Sequence, residues 1–125
     1  MNERELVIKS LITWVYTEDL NSTCDFYENG IGLEMVRDEG AARIFNAGSG
    51  GLIGVCKAFE DRVVDPKGGM ITLVTDDVDA WFSTFQLKGI EVESPPHILE
   101  KFNIYTFFLK DPNGYLIEFQ QFLPG

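Results

Sequence analysis

Few side chains in this chain are equipped for chemistry, and their scarcity narrows what it can do. There is one histidine, His97, and there are two cysteines, Cys24 and Cys56. A nucleophilic thiol needs a neighbouring base to take its proton, and neither cysteine has His97 nearby in sequence. Neither belongs to a C-x-x-C or C-x-H pattern, so no zinc site is indicated. Each lies among apolar residues, Cys24 on a helical stretch and Cys56 on an extended one. Both are therefore expected to be buried free thiols of a reducing compartment. What remains is carboxylate. Among the carboxylates, Glu118 lies within an extended segment, Tyr115-Leu116-Ile117-Glu118-Phe119, that closes a predicted hairpin. A carboxylate in such surroundings can pair with a cationic ligand or act as a base. It is the only catalytic candidate, and no partner acid accompanies it.

Charge and composition set the wider bounds. Twenty acidic residues against ten Lys and Arg give a net charge of −10 over 125 residues. Such a chain repels phosphate backbones, which argues against nucleic acid as a partner. The 45% apolar content supports a folded core in a single domain. The start, Met1 to Leu6, lacks the basic and apolar regions of a secretory signal, and no apolar run approaches membrane-spanning length. A cytoplasmic protein without a membrane partner is expected.

The elements that must position Glu118 emerge from an internal repeat. Ile12-Thr13-Trp14-Val15-Tyr16-Thr17-Glu18-Asp19-Leu20 aligns with Met70-Ile71-Thr72-Leu73-Val74-Thr75-Asp76-Asp77-Val78. In each copy a β-branched and aromatic run predicts a strand, and an acidic residue predicts a helix cap. The helical stripes are Leu20, Cys24, Tyr27 and Ile31, then Val78, Trp81, Phe82 and Phe85. Gly30 and Gly32 stop the first helix and Gly89 the second. Strands are predicted near 8–16, 33–37, 41–47 and 51–57, then 70–75, 90–93, 102–110 and 115–122. Asp111-Pro112-Asn113-Gly114 predicts a tight hairpin turn. The expected fold is α+β: tandem βαβββ units over 7–57 and 70–122, joined by a connector at 58–69, in one domain spanning 7–123.

Three segments carry a resemblance. Asp19 to Leu33 is similar to a first-helix pattern D-L-x-x-S-x-x-F-Y-x-x-x-L-G, with Thr23 and Ile31 as mild departures. Asp111-Pro112-Asn113-Gly114-Tyr115-Leu116-Ile117-Glu118-Phe119 is similar to a closing motif D-P-[DN]-G-x-x-[IL]-E-[LF]. Thr75 to Ala80 is similar to the start of a second helix. Together they resemble the vicinal-oxygen-chelate superfamily of glyoxalase, bleomycin-resistance and extradiol dioxygenase proteins. The resemblance implies a cupped mixed sheet around one cavity, a small-molecule ligand and pairing as a homodimer.

It also implies four metal-ligand slots, on the first and last strands of each unit. Here those slots read Ile12, Gly54, Met70 and Glu118. Only Glu118 can hold a hard or borderline ion, since a thioether suits soft metals and the other two offer no donor. No metal and no cofactor are therefore expected. Strand alternation places Trp14 and Tyr16 on the face of Ile12, Thr72 on that of Met70, and Gln120 on that of Glu118. Tyr105 joins these as a further wall residue, though alternation leaves open which face it and Phe107 take. The expectation is a binding protein with an aromatic and acidic cup for a cationic or aromatic compound. A lyase or dioxygenase with an atypical metal site is the alternative.

Overall fold

The computed structural model describes residues 6–125; residues 1–5, which include most of the non-signal-like start, lie outside the described residues. Two four-stranded sheets form, each from one copy of the repeat. The first comprises β1 (Leu11–Thr17), β2 (Met35–Asp38), β3 (Ala42–Asn46) and β4 (Gly51–Lys57), in the order β1-β4-β3-β2. The second comprises β5 (Met70–Val74), β6 (His97–Leu99), β7 (Ile104–Lys110) and β8 (Leu116–Phe122), in the order β5-β8-β7-β6. The order and the parallel first-to-last pairing are the same in both. Ile12 faces Leu52 as Met70 faces Leu116, and Trp14 faces Gly54 as Thr72 faces Glu118. The repeat read from sequence is therefore a repeat in hydrogen-bond register.

Each unit crosses from its first strand to its second through a helix capped in the same way. In α1 (Leu20–Asp25), Asp19 accepts from the Ser22 amide at 3.1 Å. In α2 (Val78–Lys88), Asp77 accepts from the Ala80 amide at 3.0 Å. Such caps satisfy amides that the first turn leaves unpaired. Thr17 and Thr75 accept from the Asp19 and Asp77 amides, at 2.9 and 3.1 Å. Gly89 ends α2 at φ +71, where a side chain would be strained. The first helix departs from expectation by widening into a π-helical stretch, Phe26–Ile31, which includes Gly30 and ends at Gly32, the second of the two expected stops. Lys88 of the other unit donates to the Asn29 and Gly30 carbonyls, both at 2.9 Å, which satisfies part of that open end.

The strand predicted at 90–93 is not formed. Ile90 and Val92 pack against the core, and the Glu93 amide donates once to the Phe108 carbonyl at 2.7 Å. Pro95 and Pro96 follow and have no amide hydrogen for a ladder. Pairing with β7 begins only after them, at His97, which lies on β6 opposite Thr106. The first strand also starts later than predicted, at Leu11, and a short 3₁₀ turn, Glu100–Phe102, precedes β7. Among the described residues no helix is long and apolar enough to cross a membrane.

The units share one core. Val15, Tyr27, Phe45, Ile53 and Val55 from the first join Val78, Phe85, Phe107, Ile117 and Phe119 from the second. Phe107 stacks on Phe119 with ring centroids 5.5 Å apart. A polar tie crosses this core. The Tyr27 hydroxyl donates to the Asp111 carboxylate at 2.8 Å, and that carboxylate also accepts from the Asn113 and Tyr115 amides at 2.8 and 2.9 Å. Burial pushes the Asp111 carboxyl above the usual carboxylate range, and the Tyr27 bond works against that rise. Burial, then the Asp111 charge, pushes the Tyr27 phenol upward, so it remains a donor.

A pH dependence follows from this tie. Tyr27→Phe removes the bond that favours the ionised form, so the folded-state pKa of Asp111 rises further. A group whose folded pKa is raised takes up protons on folding, and falling pH then favours the folded chain. The stability deficit of Tyr27→Phe is expected to be about 1–3 kcal/mol near neutrality and to shrink as pH falls through the Asp111 pKa. Urea denaturation of both proteins at a series of pH values checks this; a deficit that grows on acidification would contradict it.

Candidate functional site

The open face of the second sheet forms a hollow of about 640 Å³. Alternation along β5, β7 and β8 turns Met70, Thr72, Ile104, Phe108, Glu118 and Gln120 toward it. Leu99, Phe102 and Phe122 complete the lining. The opposite face holds Phe107, Leu109, Ile117 and Phe119 in the core. Glu118 lies at the base of the hollow with 3% of its surface exposed. The Thr72 hydroxyl donates to its Oε1 at 2.8 Å. The Thr106 hydroxyl donates to its Oε2 at 2.8 Å and lies 3.0 Å from the Phe119 carbonyl oxygen.

Among the described residues the ion pairs are Arg37–Glu39, Arg43–Asp38, Arg62–Asp61 and Lys110–Glu93. None involves Glu118. A buried charge without a countercharge costs several kcal/mol, and each charge-assisted hydrogen bond returns only about 1.5–3 kcal/mol.

The sequence-predicted site residues divide between two places. Thr72, Glu118 and Gln120 line the hollow, with Met70 at its border. Trp14 does not join them. Its indole, 37% exposed, lies against Gly54 on the open face of the first sheet. It lines a separate cleft of about 230 Å³ with Pro66, Met70 and Leu116. Tyr16 is half-buried on β1 opposite Cys56 and lines neither space. Tyr105 faces the helix side, where its hydroxyl donates to Asp79 at 2.6 Å, so its inclusion in the cup is corrected. The single cup shared by Trp14, Tyr16 and Glu118 is replaced by a hollow lined from the second unit. Cys24 is buried as expected, whereas Cys56 is only half-buried.

Sequence reasoning missed Ile104, Thr106, Phe108, Leu99, Phe102 and Phe122. A signal existed for the three on β7. The Asp111-Pro112-Asn113-Gly114 turn pairs Lys110 with Leu116, and counting back from it pairs Phe108 with Glu118. Even-numbered residues of β7 must then share the Glu118 face. His97 shares it too, with its ring centroid 6.3 Å from that of Phe108.

The residues at the four ligand slots do not fit a divalent ion. Ile12, Gly54 and Met70 supply no oxygen or nitrogen side-chain donor, which leaves Glu118 as a single carboxylate where several converging donors are needed. Among the described residues no three His, Cys, Asp or Glu side chains gather where they could hold a metal.

With the fold and hollow established, comparison with known proteins places the chain. The Glyoxalase/Bleomycin resistance protein/Dioxygenase superfamily profile matches residues 9–119, and the chain belongs to that superfamily. A glyoxalase/bleomycin resistance protein/dioxygenase from Nocardioides superposes with a TM-score of 0.78 at 18% identity, over 98% of this chain and 88% of that one. A lactoylglutathione lyase from Agrobacterium tumefaciens gives 0.73 at 26% identity, over 89% and 91%. TioX from Micromonospora sp. ML1 gives 0.76 at 19%, over 91% and 98%. No curated protein gives a significant sequence match.

The Trp14–Gly54 contact yields a prediction. A Cβ built on Gly54 would lie 2.4 Å from the indole Cε3 and Cζ3 atoms. Gly54→Ala is expected to cost about 1–3 kcal/mol through overpacking and to drive the indole outward. In a Trp81→Phe background, emission from Trp14 should shift to the red, and adding Trp14→Val should restore the stability lost at position 54. Unchanged emission and stability would refute the contact.

Proposed function

We propose that this protein is a metal-independent binding protein of its superfamily, which holds a cationic, largely apolar or aromatic compound in the second-unit hollow. The observation that carries this reading is Glu118, a carboxylate buried without a countercharge at the base of an apolar space. A pocket with apolar walls and few polar groups suits a small organic ligand. Phe102, Phe108 and Phe122 supply rings on which a cation or a flat body can rest. The free thiols fit a reducing compartment such as the cytoplasm.

Calorimetric titration is the appropriate test, because neither Trp14 nor Trp81 lines the hollow. A cationic aromatic probe such as 2-naphthylmethylammonium is expected to bind at least about tenfold more tightly than the neutral 2-naphthylmethanol, the value of one charge-assisted contact. Glu118→Gln should remove that difference. The amide can still accept from Thr72, and Thr106 can turn its proton to the Phe119 carbonyl, so stability should change by less than about 1 kcal/mol. Equal binding of the neutral and charged probes to the unaltered protein would defeat the reading.

We further propose that the open sheet faces pair two copies of the chain. Ile12, Trp14, Met70, Phe102 and Phe122 expose between 36% and 66% of their surface there, and grouped exposed apolar side chains of this kind often mark a protein interface. Sedimentation equilibrium should report a dimer, and Trp14→Glu should shift it to monomer without loss of helical and sheet content. A monomeric unaltered protein at high micromolar concentration would exclude this pairing.

A further inference from the structure

The hydrogen bonds around Glu118 restrict the chemistry of the cation, given the binding reading above. A threonine hydroxyl has a single proton and two lone pairs. Thr72 directs its proton to Glu118 Oε1, at 2.8 Å. The Thr106 proton has two acceptors within reach, Glu118 Oε2 at 2.8 Å and the Phe119 carbonyl at 3.0 Å. Either choice points it away from a ligand. Thr72 therefore presents only lone pairs to the hollow, beside a carboxylate that has only lone pairs to give, while Thr106 is fully buried behind Glu118 and does not line it. Of the polar lining groups, Gln120 alone brings donors that are not already engaged with Glu118. The base of the hollow is thus a cluster of acceptors awaiting N–H protons.

Access adds an independent restriction. Glu118 keeps 3% of its surface exposed. A carboxylate so enclosed can be reached by a small head that places a hydrogen at the oxygen. A head sheathed in methyl groups is held at van der Waals distance and leaves the acceptors unpaired, which is costly in a desolvated site. We infer that the hollow selects a compact N–H-donating cation, a primary or secondary ammonium carried on an apolar body, and discriminates against quaternary ammonium compounds of the same shape. Most metal-free aromatic cages for cations would show the reverse preference, since ring faces do not require N–H groups.

The experiment is a titration of the full chain with 2-naphthylmethylammonium and with its N-methyl, N,N-dimethyl and N,N,N-trimethyl forms, repeated on Glu118→Gln. The melting profile of the variant establishes that it is folded. The expected result is a stepwise loss along the series, with the trimethyl form at least about tenfold weaker than the primary amine, and a flat series in Glu118→Gln. Binding of the trimethyl form as tightly as the primary amine, with both weakened by Glu118→Gln, overturns the donor requirement and leaves the cation reading intact. A preference that persists unchanged in Glu118→Gln also overturns it, because the selection would then arise elsewhere. Failure of every member to bind the unaltered protein at millimolar concentration overturns both.

Discussion

The buried Asp111 carboxylate is the fixed point from which the site is built. By accepting from the Asn113 and Tyr115 amides it folds its own turn, and by accepting from Tyr27 it fastens that turn to the first unit. The turn sets the pairing of Lys110 with Leu116, and every pair further along β7 and β8 follows from it. A slip of one residue would carry Glu118 from the open face into the apolar core and bring Phe119 out in its place. The position of one carboxylate in the hollow thus depends on another about 7 residues away along the chain, through hairpin register alone. Asn113 reinforces the join by donating from its side chain to Thr23 at 2.9 Å.

The two buried carboxylates are handled differently. Asp111 is met by two amides and a phenol, all from the chain itself. Glu118 is met by two hydroxyls and borders an open volume. The first arrangement is complete within the chain, which suits a structural joint. The second lacks an ion-pair partner among the described residues. The contrast is the physical basis for proposing a binding role for Glu118 and a structural one for Asp111, although both belong to the same closing motif.

Much of the fold could be read from the chain itself because its two halves repeat the same constraints. The T-x-D segments at Thr17–Asp19 and Thr75–Asp77 became identical caps, and the aligned strands acquired identical register. The errors arose where local pattern and tertiary pairing disagree. Ile90 and Val92 alternate like a strand, yet two prolines delay the ladder to His97. Tyr105 is aromatic and near the site in sequence, but only the distant partner Glu118 decides which face of β7 looks into the hollow. Trp14 shares a face with the repeat mate of Glu118, not with Glu118 itself. Which sheet face encloses a volume is a property of how the sheets curve, and periodicity carries no record of it.

The indole pressed against Gly54 also constrains the order in which this chain can change. Position 54 is the repeat mate of Glu118, so a carboxylate there would bring the two halves closer in chemistry. Any side chain at 54 must first displace the Trp14 ring that fills the space above the backbone. A smaller residue at 14 lowers the cost of a donor at 54, so one order of substitution is easier than the other and the asymmetry between the halves resists erasure.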